Sequence, residues 1–131
     1  MEYRVLETRS ADILTKYYNN EINSFLNACH EDILWIGPAE KHVIRTRKAL
    51  VDAFSQEEHN LEFVLSDLKV FSIGLTECSC EVIMFFILDT IWPDSSVGRA
   101  DQRMQFTWVS ENGEEKIRLC HISNAIKYDE R

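Results

Sequence analysis

Arg103, His121 and Ser123 are the residues whose types could form a polar ligand site within the largely apolar C-terminal third of the chain. A guanidinium pairs strongly with a carboxylate, and an imidazole exchanges protons near neutral pH. His121 and Ser123 are two positions apart, so a β-strand places both side chains on one face. These three residues therefore predict the polar floor of a binding pocket.

The relation between Arg103 and His121 depends on the turn at Asn112-Gly113. A two-residue hairpin turn places Arg103 opposite Ile122, on the face away from His121. A three-residue loop with Gly113 in a G1 bulge places Arg103 opposite His121. Gly113 suits the bulge because glycine accepts positive φ at little steric cost. Both registers are compatible with the sequence, and the shared pocket requires the second.

Trp35, Tyr17 and Tyr18 are the candidate walls of this pocket. Trp35 lies inside a short apolar strand, directly before Gly37-Pro38, where a tryptophan packs in the core or lines a cavity. Tyr17 and Tyr18 are neighbours on a predicted helix and point about 100° apart. We therefore expect only one of these two tyrosines to face inward squarely.

The composition describes a single globular domain over residues 1–131, with 45% hydrophobic residues, four glycines and two prolines. A formal net charge of −8 argues against nucleic acid and anionic membranes as partners. The longest apolar run is far shorter than the ~20 residues that a membrane helix needs. The first residues lack the features of a secretory signal, so we expect a cytoplasmic protein.

The chain lacks the sequence motifs of serine hydrolases, phosphate-binding loops and dinucleotide-binding folds. Of the four cysteines, Cys78 and Cys80 would alternate onto one strand face. The usual spacings of zinc ligands are absent. We therefore expect reduced, packed thiols, and neither a metal ion nor a cofactor.

The period of the apolar residues changes along the chain, from about 3.6 residues before position 60 to two afterwards. This change predicts an α+β domain in which three N-terminal helices pack against one face of a curved antiparallel sheet. Predicted turns fall at Ile73-Gly74 and Asn112-Gly113. The predicted helices are 5–18, 22–29 and one that Thr46 caps; the predicted strands are 33–36, 61–71, 77–92, 99–109 and 114–126.

The strand predicted over residues 77–92 loses its polar alternation after Glu81. Both of its faces should therefore be covered, one by the helices and the other by a second copy of the chain. We expect a homodimer through the convex face of the sheet. Its interface would centre on Ile83, Phe85 and Ile87, with Phe106 or Trp108 beside them.

Four strings occur along the chain in this order: Asp32-Ile-Leu-Trp-Ile-Gly-Pro38, Thr46-Arg-Lys-Ala-Leu-Val-Asp-Ala-Phe54, Arg103 and His121-Ile-Ser123. Together they resemble the SnoaL-like branch of the nuclear transport factor 2-like superfamily, which has a cystatin-like fold. The pattern of the last strands is also similar to the association domain of calmodulin-dependent kinase II. The resemblance implies a cone-shaped α+β fold, a pocket between the helices and the concave sheet, and dimerisation through the convex sheet.

The chain departs from the family pattern where catalysis would depend on it. Gly37 stands where the steroid-isomerase branch has its aspartate base, and Leu119 replaces the first histidine of the last strand. Thr46 replaces a glycine, and Gln105 replaces a threonine. The resemblance therefore implies a binding domain more readily than a proton-shuttling isomerase.

Three functions remain open at this stage. The first is a non-catalytic domain that binds a small apolar or aromatic molecule, which can carry an acidic group that Arg103 pairs. The second is a cyclase, isomerase or dehydratase that uses His121 as its general base. The third is a dimeric interaction or accessory module without a ligand. An open cavity on the concave face would favour the first two over the third.

Overall fold

A computed structural model describes residues 1–39, 41–56 and 61–125. The predicted α+β class is confirmed, and the four long strands occur close to their expected positions. The predicted end of the last strand at Ile126 lies outside the described residues. The elements are α1 (Tyr3–Tyr18), α2 (Asn23–Ala28), β1 (Cys29–Ile36), β2 (Val43–Arg45), α3 (Arg47–Ser55), β3 (Glu62–Thr76), β4 (Ser79–Ile91), β5 (Val97–Glu111) and β6 (Glu114–Asn124).

The strands form one curved, six-stranded sheet in the order β2-β1-β6-β5-β4-β3. Four neighbouring pairs are antiparallel, whereas β1 runs parallel to β6, so the sheet is mixed and not wholly antiparallel as predicted. Strand β2 was not predicted. It has only three residues and lies between the strand predicted at 33–36 and the helix that Thr46 caps. In the chain, β1 and β2 lie between α2 and α3, and the four long strands follow α3.

The turn predicted at Ile73-Gly74 is wrong, because β3 continues to Thr76 and the chain reverses at residues 77–78. Gly74 instead lies under α1, where the phenol ring of Tyr3 occupies the space that a β-carbon would need. Cys78 is consequently an exposed turn residue, whereas Cys80 is buried on β4. The two thiols do not share a strand face as expected, and all four cysteines are free.

The three helices cover the concave face of the sheet. Helix α1 packs against β3 and β4, α2 against β6, and α3 against β1 and β2. Thr46 caps α3 as predicted, because its hydroxyl oxygen accepts a hydrogen bond of 3.2 Å from the Ala49 amide. The backbone of Thr46 is left-handed, with φ of 77°, at the position where the resembled family has glycine.

Alternate residues of β4 and β5 point into the core under these helices. Phe106 and Trp108 are fully buried there, and the indole nitrogen of Trp108 donates a 2.9 Å hydrogen bond to the Ser10 hydroxyl. The expectation that Phe106 or Trp108 adjoins a dimer interface is therefore wrong. Other buried members of the sheet's concave face include Val82, Met84, Phe86, Met104, Ile117, Cys120 and Ile122.

The β5–β6 hairpin follows neither of the two registers weighed from the sequence. Asn112 and Gly113 form a two-residue turn with both φ angles positive, at 54° and 78°. An irregularity farther along then shifts the pairing by one residue between Thr107 and Trp108. Arg103 consequently pairs with Ser123, and Gln105 with His121.

Candidate functional site

A cavity of about 320 Å³ lies between the helices and the concave face of the sheet. This volume is at the small end of the range for small-molecule sites. The cavity is lined by residues from α1 and α3, from β1, β3, β4, β5 and β6, and from the connections at residues 20–22 and 38–42. They are Tyr17, Tyr18, Asn20, Ile22, Trp35, Pro38, His42, Phe54, Phe63, Leu88, Thr90, Gln102 and Ile122.

Aromatic rings form most of the cavity wall. Trp35 meets Phe54 edge to face, with ring centroids 5.8 Å apart, and lies 5.9 Å from the imidazole of His42. Tyr17 contacts Phe54 at 5.9 Å and Tyr18 at 5.0 Å, also edge to face. Such edge-to-face contacts are favourable beyond their buried area, so these rings support each other's positions.

A short relay of hydrogen bonds crosses one side of the cavity. The Tyr18 hydroxyl donates to the Gln102 amide oxygen at 3.2 Å, and the Gln102 amide nitrogen donates to the Asn124 side-chain oxygen at 3.0 Å. Burial raises the pKa of the Tyr18 phenol well above its ordinary value. Tyr18 is therefore a neutral donor throughout the physiological pH range.

The indole N–H of Trp35 has no hydrogen-bond partner among the described residues, and the residue is buried, with only 7% of its surface exposed. Buried donors are nearly always paired in folded proteins, and leaving one unpaired costs about 1–3 kcal/mol. This donor belongs to a ring that forms part of the cavity wall.

Gly37 allows Trp35 and His42 to approach one another at the end of β1. A β-carbon on Gly37 would lie 2.6 Å from the outer edge of the Trp35 indole and 2.8 Å from the β-carbon of His42. Both contacts are closer than real β-carbons tolerate. The glycine that replaces the aspartate base of the resembled isomerases is thus required here for close packing of the wall.

Three of the six predicted site residues line this cavity: Trp35, Tyr17 and Tyr18. Both tyrosines line it, because α1 ends beside the cavity, but only Tyr18 is buried, whereas Tyr17 is partly exposed.

The prediction that Arg103, His121 and Ser123 line the cavity is wrong. Arg103 and His121 are exposed, and Ser123 is partly exposed, on the outer, convex face of the sheet. Their neighbours Met104 and Ile122 are the buried residues that point to the helices. Arg103, His121 and Ser123 do share one face, because the register shift aligns them, but it is the face away from the cavity.

Gln102 is one of four polar lining residues that the sequence analysis missed; the others are Asn20, His42 and Thr90. Met104, Phe106 and Trp108 alternate as the apolar, inward set of β5, and Gln102 continues that set by two residues. A polar residue in phase with the core was therefore a signal in the sequence. Arg103 is out of phase with the same set, which indicates the outer face.

Within the described residues, the structure contains no helix that is both long and apolar enough to span a membrane. No protein-family model matches the chain, and no curated protein matches it either.

Solved structures with the same fold cover nearly the whole chain. A ketosteroid isomerase-like protein from Erwinia carotovora atroseptica matches with a TM-score of 0.80 at 13% identity, over 95% of this chain and 96% of that one. A nuclear transport factor 2-like protein from Cytophaga hutchinsonii matches with 0.69 at 17% identity, over 95% and 99%. The association domain of CaMKII from C. elegans matches with 0.69 at 9% identity, over 93% and 95%.

These likenesses confirm, at the level of the fold, the resemblance that the sequence strings predicted. The chain has the nuclear transport factor 2-like fold.

Proposed function

We propose that this protein is a small-molecule-binding domain and that its site is the cavity between the helices and the concave sheet. The observation that carries the proposal is the cavity itself: about 320 Å³ bounded by aromatic rings and a few polar side chains. A concave, mainly apolar pocket with a few convergent polar groups is typical of ligand sites. The name of the similar ketosteroid isomerase-like protein refers to a small apolar molecule, which agrees with this proposal.

The cavity favours a neutral ligand over an acidic one. No lysine or arginine is among the described residues that line it. A carboxylate buried there would lack the permanent positive charge of a lysine or arginine, which is unfavourable. The ligand we propose is therefore a small, apolar or aromatic, uncharged molecule.

Catalysis is not part of the proposal. The enzyme alternative used His121 as general base, and His121 lies on the outer face of the sheet, away from the cavity. The accessory-module alternative was to be favoured by a concave face filled with side chains, and the open cavity argues against it.

Filling the cavity is expected to abolish ligand binding without unfolding the protein. Thr90 lines the cavity from β4 and is only partly buried, so Thr90→Phe adds a ring inside the site. We expect Thr90→Phe to weaken binding of 2-naphthol, a neutral two-ring probe, at least tenfold in isothermal titration calorimetry. Circular dichroism of the same sample reports whether the fold is retained.

Two control variants keep this test specific. Val97→Phe adds a similar ring at a position that is 61% exposed, and Arg103→Ala removes the exposed guanidinium of the outer face. We expect both controls to bind 2-naphthol within about twofold of the wild type. Equal binding by Thr90→Phe and the wild type, or no binding by the wild type at all, would refute the cavity as the site.

We also propose that two copies associate through the convex face of the sheet. Phe71 and Phe85 meet there edge to face at 5.8 Å, and they are 56% and 36% exposed. Ile83 and Ile87 are partly exposed on the same face of β4. Contiguous apolar surface of this kind on a small domain is typical of an interface.

A charge at the centre of this face is expected to prevent dimerisation. Phe85→Glu would bury a carboxylate against its own copy across a two-fold axis, and we expect a monomer at micromolar concentration by light scattering. Val5→Glu is the matched control, because Val5 is an equally apolar residue that is 59% exposed on α1. We expect a dimer for the wild type and for Val5→Glu. A monomeric wild type would contradict the proposal.

A further inference from the structure

Three exposed residues form the mouth of the cavity, whereas its buried interior is largely apolar. The residues of the mouth are Asn20, Pro38 and His42. A bound molecule that has one polar end therefore places its apolar body inside and its polar group at the mouth, in contact with water. The buried residues of the lining are aromatic or aliphatic: Tyr18, Trp35, Phe54, Leu88 and Ile122.

The imidazole of His42 lies at this mouth, beside the wall that Trp35 forms. The centroids of the two rings are 5.9 Å apart, and their planes are inclined by 37°. A β-carbon on Gly37 would lie 2.6 Å from the outer edge of the Trp35 indole and 3.0 Å from His42 Nδ1, so this nitrogen is close to the indole edge. The imidazole has no hydrogen-bond or ion-pair partner among the described residues. Because His42 is exposed, a ligand can reach it.

His42 gives the described lining its one side chain of a type that changes charge near neutral pH. Histidine gains a proton between about pH 8 and pH 5, whereas a phenol loses its proton only near about pH 10. The other ionisable groups among these lining residues are the phenols of Tyr17 and Tyr18, and the described lining contains no carboxylate. In the chain, Glu40 and Lys41 precede His42, and their opposite charges cancel. A protonated His42 therefore gives the mouth a positive charge.

We infer that His42 is a specificity-determining residue: its protonated imidazole pairs with a carboxylate that an aromatic ligand holds at the mouth of the cavity. The inference deepens the proposed function and rests on it. The cavity accepts uncharged aromatic molecules at any pH, and it accepts aromatic carboxylates better in acidic than in alkaline solution. The carboxylate stays at the exposed mouth, so it avoids the cost of burial in the apolar interior.

The test compares two probes that differ in one substituent. 2-Naphthoate carries a carboxylate where 2-naphthol carries a hydroxyl group, and the naphthol stays neutral up to pH 8. Isothermal titration calorimetry measures both Kd values at pH 5.5 and pH 8.0. We expect the wild type to bind 2-naphthoate about three- to fivefold more tightly at pH 5.5, the range for one ion pair at an exposed position. The affinity for 2-naphthol should be the same at both pH values.

Three variants assign this pH dependence to one imidazole. His42→Gln keeps a polar side chain that does not titrate, and it should remove the pH dependence of naphthoate binding. His42→Lys carries a permanent charge, and it should bind naphthoate equally well at both pH values. His121→Gln removes an exposed histidine from the outer face of the sheet, and it should behave like the wild type. This control separates a local pair from the effect of the protein's overall charge.

A second measurement uses the unaltered protein, so that the test survives if the His42 variants fold poorly. The four histidines give four ring-proton signals in an NMR titration, and the signal of His42 is identified by its proximity to Trp35. A ligand that binds the protonated form more tightly makes the proton harder to remove. We expect bound 2-naphthoate to move the midpoint of the His42 titration upward by about 0.5–0.7 of a pH unit, which corresponds to the same three- to fivefold. Bound 2-naphthol should leave it in place.

The outcomes separate this inference from the proposed function. If 2-naphthol binds but naphthoate binding has the same pH dependence in the wild type and His42→Gln, the role of His42 is overturned and the cavity remains a binding site. An unchanged midpoint of the His42 titration with bound naphthoate has the same meaning. Failure of both probes to bind at either pH would overturn the proposed function and this inference together.

Discussion

Replacing Phe25 with alanine is expected to cost about 3–5 kcal/mol of stability, the range for removing a fully buried phenylalanine. Phe25 is 0% exposed and is the largest of the buried residues of α2. Its ring stacks on Phe106 of β5 at 6.0 Å and contacts Tyr17 of α1 at 5.4 Å and Phe54 of α3 at 6.4 Å. One side chain thus connects all three helices to the sheet.

The same change should also weaken ligand binding in the cavity, because Tyr17 and Phe54 line the cavity and their rings both pack against Phe25. Chemical unfolding in urea measures the stability, and titration with 2-naphthol measures the site. Trp92→Ala removes an aromatic ring that is 49% exposed, and we expect it to cost less than about 1 kcal/mol. If Phe25→Ala lost no more free energy of unfolding than Trp92→Ala, the central position of the Phe25 ring would be contradicted.

Alkaline pH is expected to destabilise the protein steeply, and buried acids are the reason. Burial raises the pKa of the Cys29 thiol from 9.0 to about 12 and raises that of Cys120 well above its ordinary value. Burial also raises the pKa of Tyr18. Each of these groups stays protonated in the folded protein at a pH where the unfolded chain releases its proton.

The sign follows from this difference in bound protons. Below pH 9 the folded and the unfolded state both hold the Cys29 proton, so this group does not change the free energy of unfolding. Between pH 9 and about 12 only the unfolded state releases it, so stability falls by about 1.4 kcal/mol per pH unit for Cys29 alone. Cys120 and Tyr18 add to the slope in the same direction.

Urea unfolding at a series of pH values between 7 and 11, with a reductant present, measures this slope. We expect Cys29→Ala and Cys120→Ala each to make the slope shallower. Cys78→Ala changes an exposed cysteine of the β3–β4 turn and should leave the slope as it is in the wild type. A free energy of unfolding that stays constant from pH 9 to 11 would show that these buried groups do not control alkaline stability.

Local patterns in the sequence were sufficient to predict most of the fold. The alternation of β4 and β5, the apolar spacing of α1 and the capping threonine of α3 each depend on near neighbours in the chain. The predicted resemblance holds for the same reason, since its strings mark strand ends and helix starts. Strand β2 escaped prediction because three residues carry no period of their own and are held by pairing with β1.

The predictions for the site residues were likewise right where they depended on a single element and wrong where they depended on pairing between strands. Trp35, Tyr17 and Tyr18 reach the cavity because their own elements turn them there, and their aromatic character identified them in advance. The positions of Arg103 and His121 depended on phase and register, which are set between strands. The inward phase of β5 is decided by which of its faces the helices bury, and there Met104 and Phe106 outweigh a single arginine.

Only the tertiary structure decided which polar groups share the cavity. Gln102, Tyr18 and Trp35 come from β5, α1 and β1, far apart in sequence, and no local pattern relates them. A register shift of one residue in the β5–β6 hairpin determined which residues of the last strand accompany Arg103 on the outer face. The sequence specifies the chemistry of each side chain, whereas the side chains that surround it depend on which face of the sheet is buried. Burying the larger apolar set outweighs the preference of a single polar residue for one face.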